Sequence, residues 1–80
     1  MIKVYTKPAC GACDLTKQFL QRENIPFTSV DITQDDDAMT EIMSRGFKSM
    51  PVVSVNNFED SWTGFEYDKL KGITNHEKTN

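Results

Sequence analysis

Several large classes of protein are excluded by what this sequence lacks. No run approaches the ~20 apolar residues that a membrane span requires, and no cluster of Lys or Arg is present to hold nucleic acid or an acidic membrane by charge. Basic residues number 9 against 12 acidic ones, for a net charge of −3, so a protein surface is the expected partner. The start shows no basic region, long apolar stretch or small-residue cleavage site of a secretory leader, and the expected location is cytoplasmic. Internal repeats and low-complexity segments are missing. At 80 residues there is no length for a second domain, and a chain this short buries only ~60% of its unfolded surface. With 38% hydrophobic residues the core is real but modest. No apolar excess remains outside the predicted core, and a monomer is expected.

Cysteine is as scarce, and its placement is informative. The only two, Cys10 and Cys13, lie in Lys7-Pro8-Ala9-Cys10-Gly11-Ala12-Cys13, a spacing at which two thiols can close a disulfide and reopen it. Half of a zinc site is the competing reading, but four-coordinate zinc needs two further ligands and the chain offers only His76. A purely structural disulfide would close too short a ring to remove much chain entropy, and it would not persist in a reducing compartment. The pair is therefore read as a dithiol redox centre.

Around it, residues 2–6 alternate as a first strand that ends ahead of Pro8. Between Ala12 and Glu23 a helix places Ala12, Leu15, Thr16, Phe19 and Leu20 on its inner face, and it stops near Asn24 before Pro26. Residues 27–32 form a second strand, which a right-handed crossover makes parallel to the first. Thr33 is the expected N-cap of a second helix, with Asp35, Asp36 and Asp37 in its first turn. Ala38, Met39, Ile42 and Met43 are its core stripe and Gly46 its C-terminal stop. Pro51 opens a buried strand over 52–55. Asn56-Asn57 turns it into an antiparallel segment over 58–62. A last helix over about 66–71 carries Tyr67 and Leu70 inward, and residues 74–80 form a polar, frayed tail after a single domain spanning 1–73.

This order, βαβαββα, predicts an α/β thioredoxin-like fold with a four-stranded mixed sheet and three helices. The run Val4-Tyr5-Thr6-Lys7-Pro8-Ala9-Cys10-Gly11-Ala12-Cys13 and the later Met50-Pro51-Val52 resemble the glutaredoxins nearly throughout, to residue 73. Within that superfamily, Gly46-Phe47-Lys48-Ser49-Met50-Pro51-Val52 and Ser61-Trp62-Thr63-Gly64-Phe65 resemble the NrdH-redoxins, which are glutaredoxin-like in sequence and thioredoxin-like in behaviour.

At a helix start, Cys10 faces unpaired N–H groups and the positive end of the helix dipole, which predicts a thiolate favoured below the free value of ~8.5 and hence a nucleophile. Cys13, one turn inward, suits resolution of a mixed disulfide. Gly11 and Ala12 between them are small and leave the nucleophile open; glutaredoxins usually carry Pro and an aromatic there. Lys7 either supports the thiolate or is a solvated surface lysine, and the resemblance favours support. Composition alone makes Met50-Pro51 a trans strand opener. The resemblance implies a cis proline instead, with Met50 lending its backbone to an incoming extended chain.

The resemblance also bears on the electron source. Where glutaredoxins show Gly-Gly, a small polar residue and Asp around a glutathione carboxylate site, this chain has Thr63, Gly64, Phe65 and Glu66. The Trp62-to-Phe65 run implies a closed cleft, no bound cofactor, and electrons from NADPH through the flavin of thioredoxin reductase. The implied acceptor is a class Ib ribonucleotide reductase or another disulfide-containing protein. NrdH-redoxins often continue with Arg-Pro, where this chain has Glu66-Tyr67. Glutathione as donor is the alternative, with Lys7, Lys48 and the Met50-Pro51 turn holding the tripeptide. A redox-switched docking module without turnover is another. Trp62 and Phe65 also serve as hydrophobic packing.

Overall fold

A computed structural model describes the backbone of residues 1–78 and the side chains of residues 1–73. The elements are β1 (Ile2–Thr6), α1 (Gly11–Arg22), β2 (Thr28–Asp31), α2 (Asp36–Ser44), β3 (Val52–Val55), β4 (Asp60–Thr63) and α3 (Tyr67–Lys78). The sheet order is β2-β1-β3-β4. β1 runs parallel to β2 and antiparallel to β3, and β4 is antiparallel to β3. This is the thioredoxin-like four-stranded mixed sheet with three helices that the pattern predicts.

The period of two along the strands splits the core into two layers. Ile2 and Val4 of β1 and Val53 of β3 point to one side, where Phe19, Leu20, Ile25, Trp62, Leu70 and Ile73 close over them. Tyr5 and Val52 point to the other, where they meet Ile32 and Ile42. The second and third layers are thus α1 with α3 on one face and α2 on the other.

Both crossover helices end in the same way. At the end of α1, Asn24 takes φ 59 while its N–H donates to the Gln21 carbonyl and that of Ile25 to the Leu20 carbonyl. After α2, Gly46 takes φ 86, its N–H donating to the Met43 carbonyl and that of Phe47 to the Ile42 carbonyl. Each is a Schellman motif in which the residue past the helix packs back onto the last turn, Ile25 with Leu20 in one core layer and Phe47 with Ile42 in the other.

Several expectations are corrected. The N-cap of α2 is Asp35, whose carboxylate accepts from the Ala38 N–H at 3.0 Å. Thr33 is taken by Asp31, to which it donates both its N–H and its hydroxyl; that pairing holds the Asp31 carboxyl below the usual carboxylate range. Helical periodicity predicts Leu15, Tyr67 and Met43 to face inward, yet they are exposed at 51%, 52% and 65%. In the stripe of α2 only Ile42 is fully buried. β2 omits Phe27 and Ile32, and β4 begins at Asp60 because residues 56–59 form the turn. That turn is left-handed at Asn56, Asn57 and Phe58, and the Phe58 N–H donates to the Ser54 hydroxyl. α3 starts at Tyr67 and runs on to Lys78, past the expected end near Lys71 and into the stretch read as tail. Residues 79–80 and the side chains from 74 onward lie outside the described residues.

Candidate active site

Strand register brings distant sequence to one end of the sheet. Tyr5 pairs with Val52 and Val52 with Thr63, so the chain leaving β1, the chain entering β3 and the chain leaving β4 meet there. Those three segments carry Lys7 to Cys13, Lys48 to Pro51, and Thr63 to Phe65. A cavity of about 380 Å³, larger than any beside the cysteines among those described and lined by Asn56, Glu59 and Lys69 among others, lies at the opposite end, beside the β3–β4 turn. Size is therefore no guide to the chemistry in this molecule.

Cys10 is the N-cap of α1, with extended backbone at φ −122 and ψ 104. Its sulfur accepts from the Cys13 N–H at 3.2 Å, the position at which Ser or Asp usually caps a helix. The helix opens with Gly11 and Ala12, which present little side chain, and Ala9 precedes the cap at φ 56, a conformation that favours glycine. Cys10 and Cys13 are joined as a disulfide, with Cα atoms 5.3 Å apart. Cys13 is 1% exposed, whereas Cys10 is half-buried. A nucleophile must be approached from outside, so of the two sulfurs only Cys10 is offered to a partner.

Across from it, the Met50–Pro51 peptide is cis, and the Met50 carbonyl oxygen lies 3.7 Å from Cys10 Sγ. Cys10 Sγ thus sits between two backbone groups, the Cys13 N–H on the helix side and the Met50 carbonyl on the loop side. The end of β4 is tied to the same loop. The Gly64 N–H donates to the Pro51 carbonyl at 2.9 Å, and the Thr63 hydroxyl donates to the Ser49 carbonyl at 2.8 Å. Gly64 itself takes φ 89.

Beside the disulfide, between α2 and the loop that follows it, a groove of about 260 Å³ is lined by Lys7, Lys48, Ser49 and Met50 together with Ile32, Met39, Ile42, Met43 and Phe47. Lys7 and Lys48 are exposed, and the structure brings both to this groove. Trp62 is 6% exposed and packs in the core layer of α1 and α3, with Lys69 Nζ 5.6 Å over its ring. Its indole nitrogen is the one described buried side-chain polar atom without a hydrogen-bond partner. Phe65, 36% exposed, instead lines a separate depression with Leu15 and Tyr67. The segment from 61 to 65 thus splits between packing and surface. Met39, Ile42 and Met43, which the sequence pattern assigns to the core stripe of α2, also line this groove; no sequence pattern gives Ser49 a role, and Gly46, a helix stop by sequence, is the signal that places Phe47 against Ile42. Among the described residues no group of three or more His, Cys, Asp or Glu is placed to hold a metal ion, and no described helix is long and apolar enough to cross a membrane.

Comparison with known proteins agrees with this geometry. Residues 2–58 match the glutaredoxin family. A glutaredoxin-like 8.6 kDa protein of the Clostridium pasteurianum rubredoxin operon is 35% identical over 72 residues, covering 88% of this chain and 96% of its own length. The glutaredoxin-like protein NrdH of Salmonella typhimurium is 30% identical over 72 residues, 90% of this chain and 86% of its own. Among solved structures, NrdH-redoxin from Escherichia coli, a glutaredoxin-like protein with a thioredoxin-like activity profile, superposes with a TM-score of 0.84 at 26% identity, covering 90% of this chain and 92% of that one.

Proposed function

The chain belongs to the glutaredoxin family, whose members are thiol-disulfide oxidoreductases, and on that premise we propose that it is a dithiol electron carrier that reduces protein disulfides and is itself reduced by thioredoxin reductase. The observation that carries the reading is the contrast between its sulfurs: a half-buried Cys10 capping a helix and a Cys13 that is 1% exposed directly behind it.

The reaction follows from that contrast. The Cys10 thiolate attacks one sulfur of a substrate disulfide, breaking the S–S bond, forming a mixed disulfide and releasing the other substrate sulfur as a thiolate that takes up a proton. Cys13, once deprotonated, attacks Cys10 Sγ, frees the second substrate thiol and closes the Cys10–Cys13 disulfide. Two electrons and two protons pass to the substrate, and a flavin reductase drawing on NADPH returns them. Met50 offers its backbone to the substrate chain, Lys7 and Lys48 offer positive charge along the groove, and Thr63 and Gly64 tie the loop from Ser49 to Pro51 to the end of β4, with Trp62 packed in the core beneath and Phe65 in a separate depression. By likeness to the NrdH proteins, the acceptor is a class Ib ribonucleotide reductase, and the site of action is the cytoplasm.

Thioredoxin reductase is preferred over glutathione as donor because the Thr63 hydroxyl is spent on Ser49, while Phe65 and Glu66 occupy positions where a glutathione carboxylate would need small and open groups. The test supplies the purified protein either with thioredoxin reductase and NADPH or with glutathione, glutathione reductase and NADPH, and follows NADPH consumption with an insulin disulfide as acceptor. Turnover with the first system is expected. Turnover with glutathione alone would instead support the second reading, which the placement of Lys7 and Lys48 on one groove favours. Cys13→Ser is expected to trap a mixed disulfide through Cys10. Absence of turnover with every donor would leave a docking module in place of a carrier.

A further inference from the structure

The stretch from Phe47 to Met50 joins α2 to β3 without belonging to either, and its path is set by few bonds. At its start the Phe47 N–H is held by the Ile42 carbonyl, and just past its end the Pro51 carbonyl is held by the Gly64 N–H. Between these anchors the tie comes from a side chain on another strand. Thr63 Oγ1 lies 2.8 Å from the Ser49 carbonyl oxygen and 3.1 Å from the Ser49 hydroxyl. A threonine hydroxyl has one proton. With that proton given to the carbonyl, the Ser49 hydroxyl must be the donor in the second contact, so both lone interactions run in a defined sense.

We propose that Thr63 is a positioning residue for disulfide exchange: by holding the Ser49 carbonyl it orients the Met50 N–H toward an incoming substrate chain. The argument is one of peptide geometry. The Ser49 carbonyl and the Met50 N–H belong to the same planar unit, and in a trans peptide they point in opposite directions; the cis bond among the described residues is the next one, Met50–Pro51. Fixing the carbonyl toward β4 therefore fixes the Met50 N–H away from β4. That N–H has no partner among the described residues, while the Met50 carbonyl lies 3.7 Å from Cys10 Sγ. An extended substrate segment can pair with a backbone only if its donor and acceptor are held in a defined orientation, and Thr63 supplies that orientation from outside the loop.

This inference rests on the reading of the protein as a carrier for protein disulfides, and the test separates the two. Wild type, Thr63→Val, Thr63→Ser and Ser49→Ala are compared in reduction of insulin and of 2-hydroxyethyl disulfide, a substrate too small to form a strand, with melting temperatures recorded alongside. Thr63→Val keeps the shape and β-branching of threonine but has no hydroxyl. For insulin its KM is expected to rise about fivefold, the order of one lost net hydrogen bond, with kcat nearly retained. For the small disulfide the loss is expected to stay below about 1.5-fold, since no strand pairing is involved. Thr63→Ser should recover most of the KM, and Ser49→Ala, which keeps the carbonyl, should raise it less than about twofold. Equal KM for wild type and Thr63→Val, a matching loss on the small disulfide, or a Ser49→Ala defect as large as that of Thr63→Val overturns the proposal while leaving the carrier reading intact. A wild type that reduces the small disulfide but no protein disulfide overturns the carrier reading, and the proposal with it.

Discussion

The two faces of the sheet are built differently. Under α1 and α3, nine apolar side chains are buried in one cluster, and two more, Phe27 and Val55, pack against it. Under α2 four are buried and six others are only half-covered, so this face remains open enough to hold the groove beside the disulfide. The closed face holds α1, and with it Cys13, in a fixed place; the open face presents Met50, Lys7 and Lys48 to a partner. A redox pair at the seam between them gains a rigid base for one thiol and an accessible approach to the other.

The contrast is broken most directly by removing one side chain from each side. Leu70 is 0% exposed in the closed cluster, and Leu70→Ala is expected to cost about 3 kcal/mol of unfolding free energy through lost burial and the cavity left behind. Met43, on the helix over the open face, is 65% exposed, and Met43→Ala is expected to cost less than ~0.5 kcal/mol. Urea unfolding of the two variants measures both, and equal losses would show that the faces are packed alike.

Much of this arrangement was legible in the sequence, and the reason is local. β1 and β3 have the bounds that the sequence predicts, because a short apolar stretch closed by a turn signal or a proline leaves little choice. The CxxC pair was placed at a helix start for the same reason, as was the helix stop at Gly46. What was misread depends on how far a neighbouring element reaches. Periodicity put Leu15, Met43 and Tyr67 on inner faces, but it cannot say where the covering layer ends, and all three lie beyond its edge. Thr33 lost the cap of α2 because Asp31 competes for its hydroxyl, a contest invisible to a preference for Thr at helix starts. The Thr63–Ser49 tie joins residues 14 apart across two segments, and no local pattern announces it.

The open face compensates for its thinner packing with aromatic contacts. Phe58 stacks on Tyr5, with ring centroids 5.7 Å apart, and on Phe47 at 6.5 Å, while the Arg45 guanidinium lies 3.8 Å over the Phe58 ring. Glu41 accepts from the edge of that guanidinium, from Nε and Nη2 at 3.2 and 3.0 Å. A double-mutant cycle between Arg45→Ala and Phe58→Leu is expected to give a coupling of about 0.5–1 kcal/mol. A coupling indistinguishable from zero would mean that the guanidinium adds nothing to the stack beyond its ion pair with Glu41.

Tyr5 offers a finer measure of the same face. Its hydroxyl titrates above the ordinary 10.0, chiefly because burial removes water from the phenolate, with further raising by Glu41 and Asp35 and an opposing pull from Arg45. The folded state therefore keeps the proton in a range where the unfolded chain has lost it. With fewer protons bound in the unfolded state, the slope of stability with pH is negative. The contribution is complete below 10.0 and is lost as pH rises through the folded value. Unfolding followed from pH 9 to 11.5 should show this decline in wild type, and Tyr5→Phe should flatten it. Glu41→Gln should flatten it in part, since a raising charge is gone, whereas Arg45→Ala should steepen it, since the lowering charge is gone. Opposite signs for these two neighbours would follow from charges acting on the Tyr5 hydroxyl; a common sign would mean instead that each variant acts by loosening the stack around Phe58.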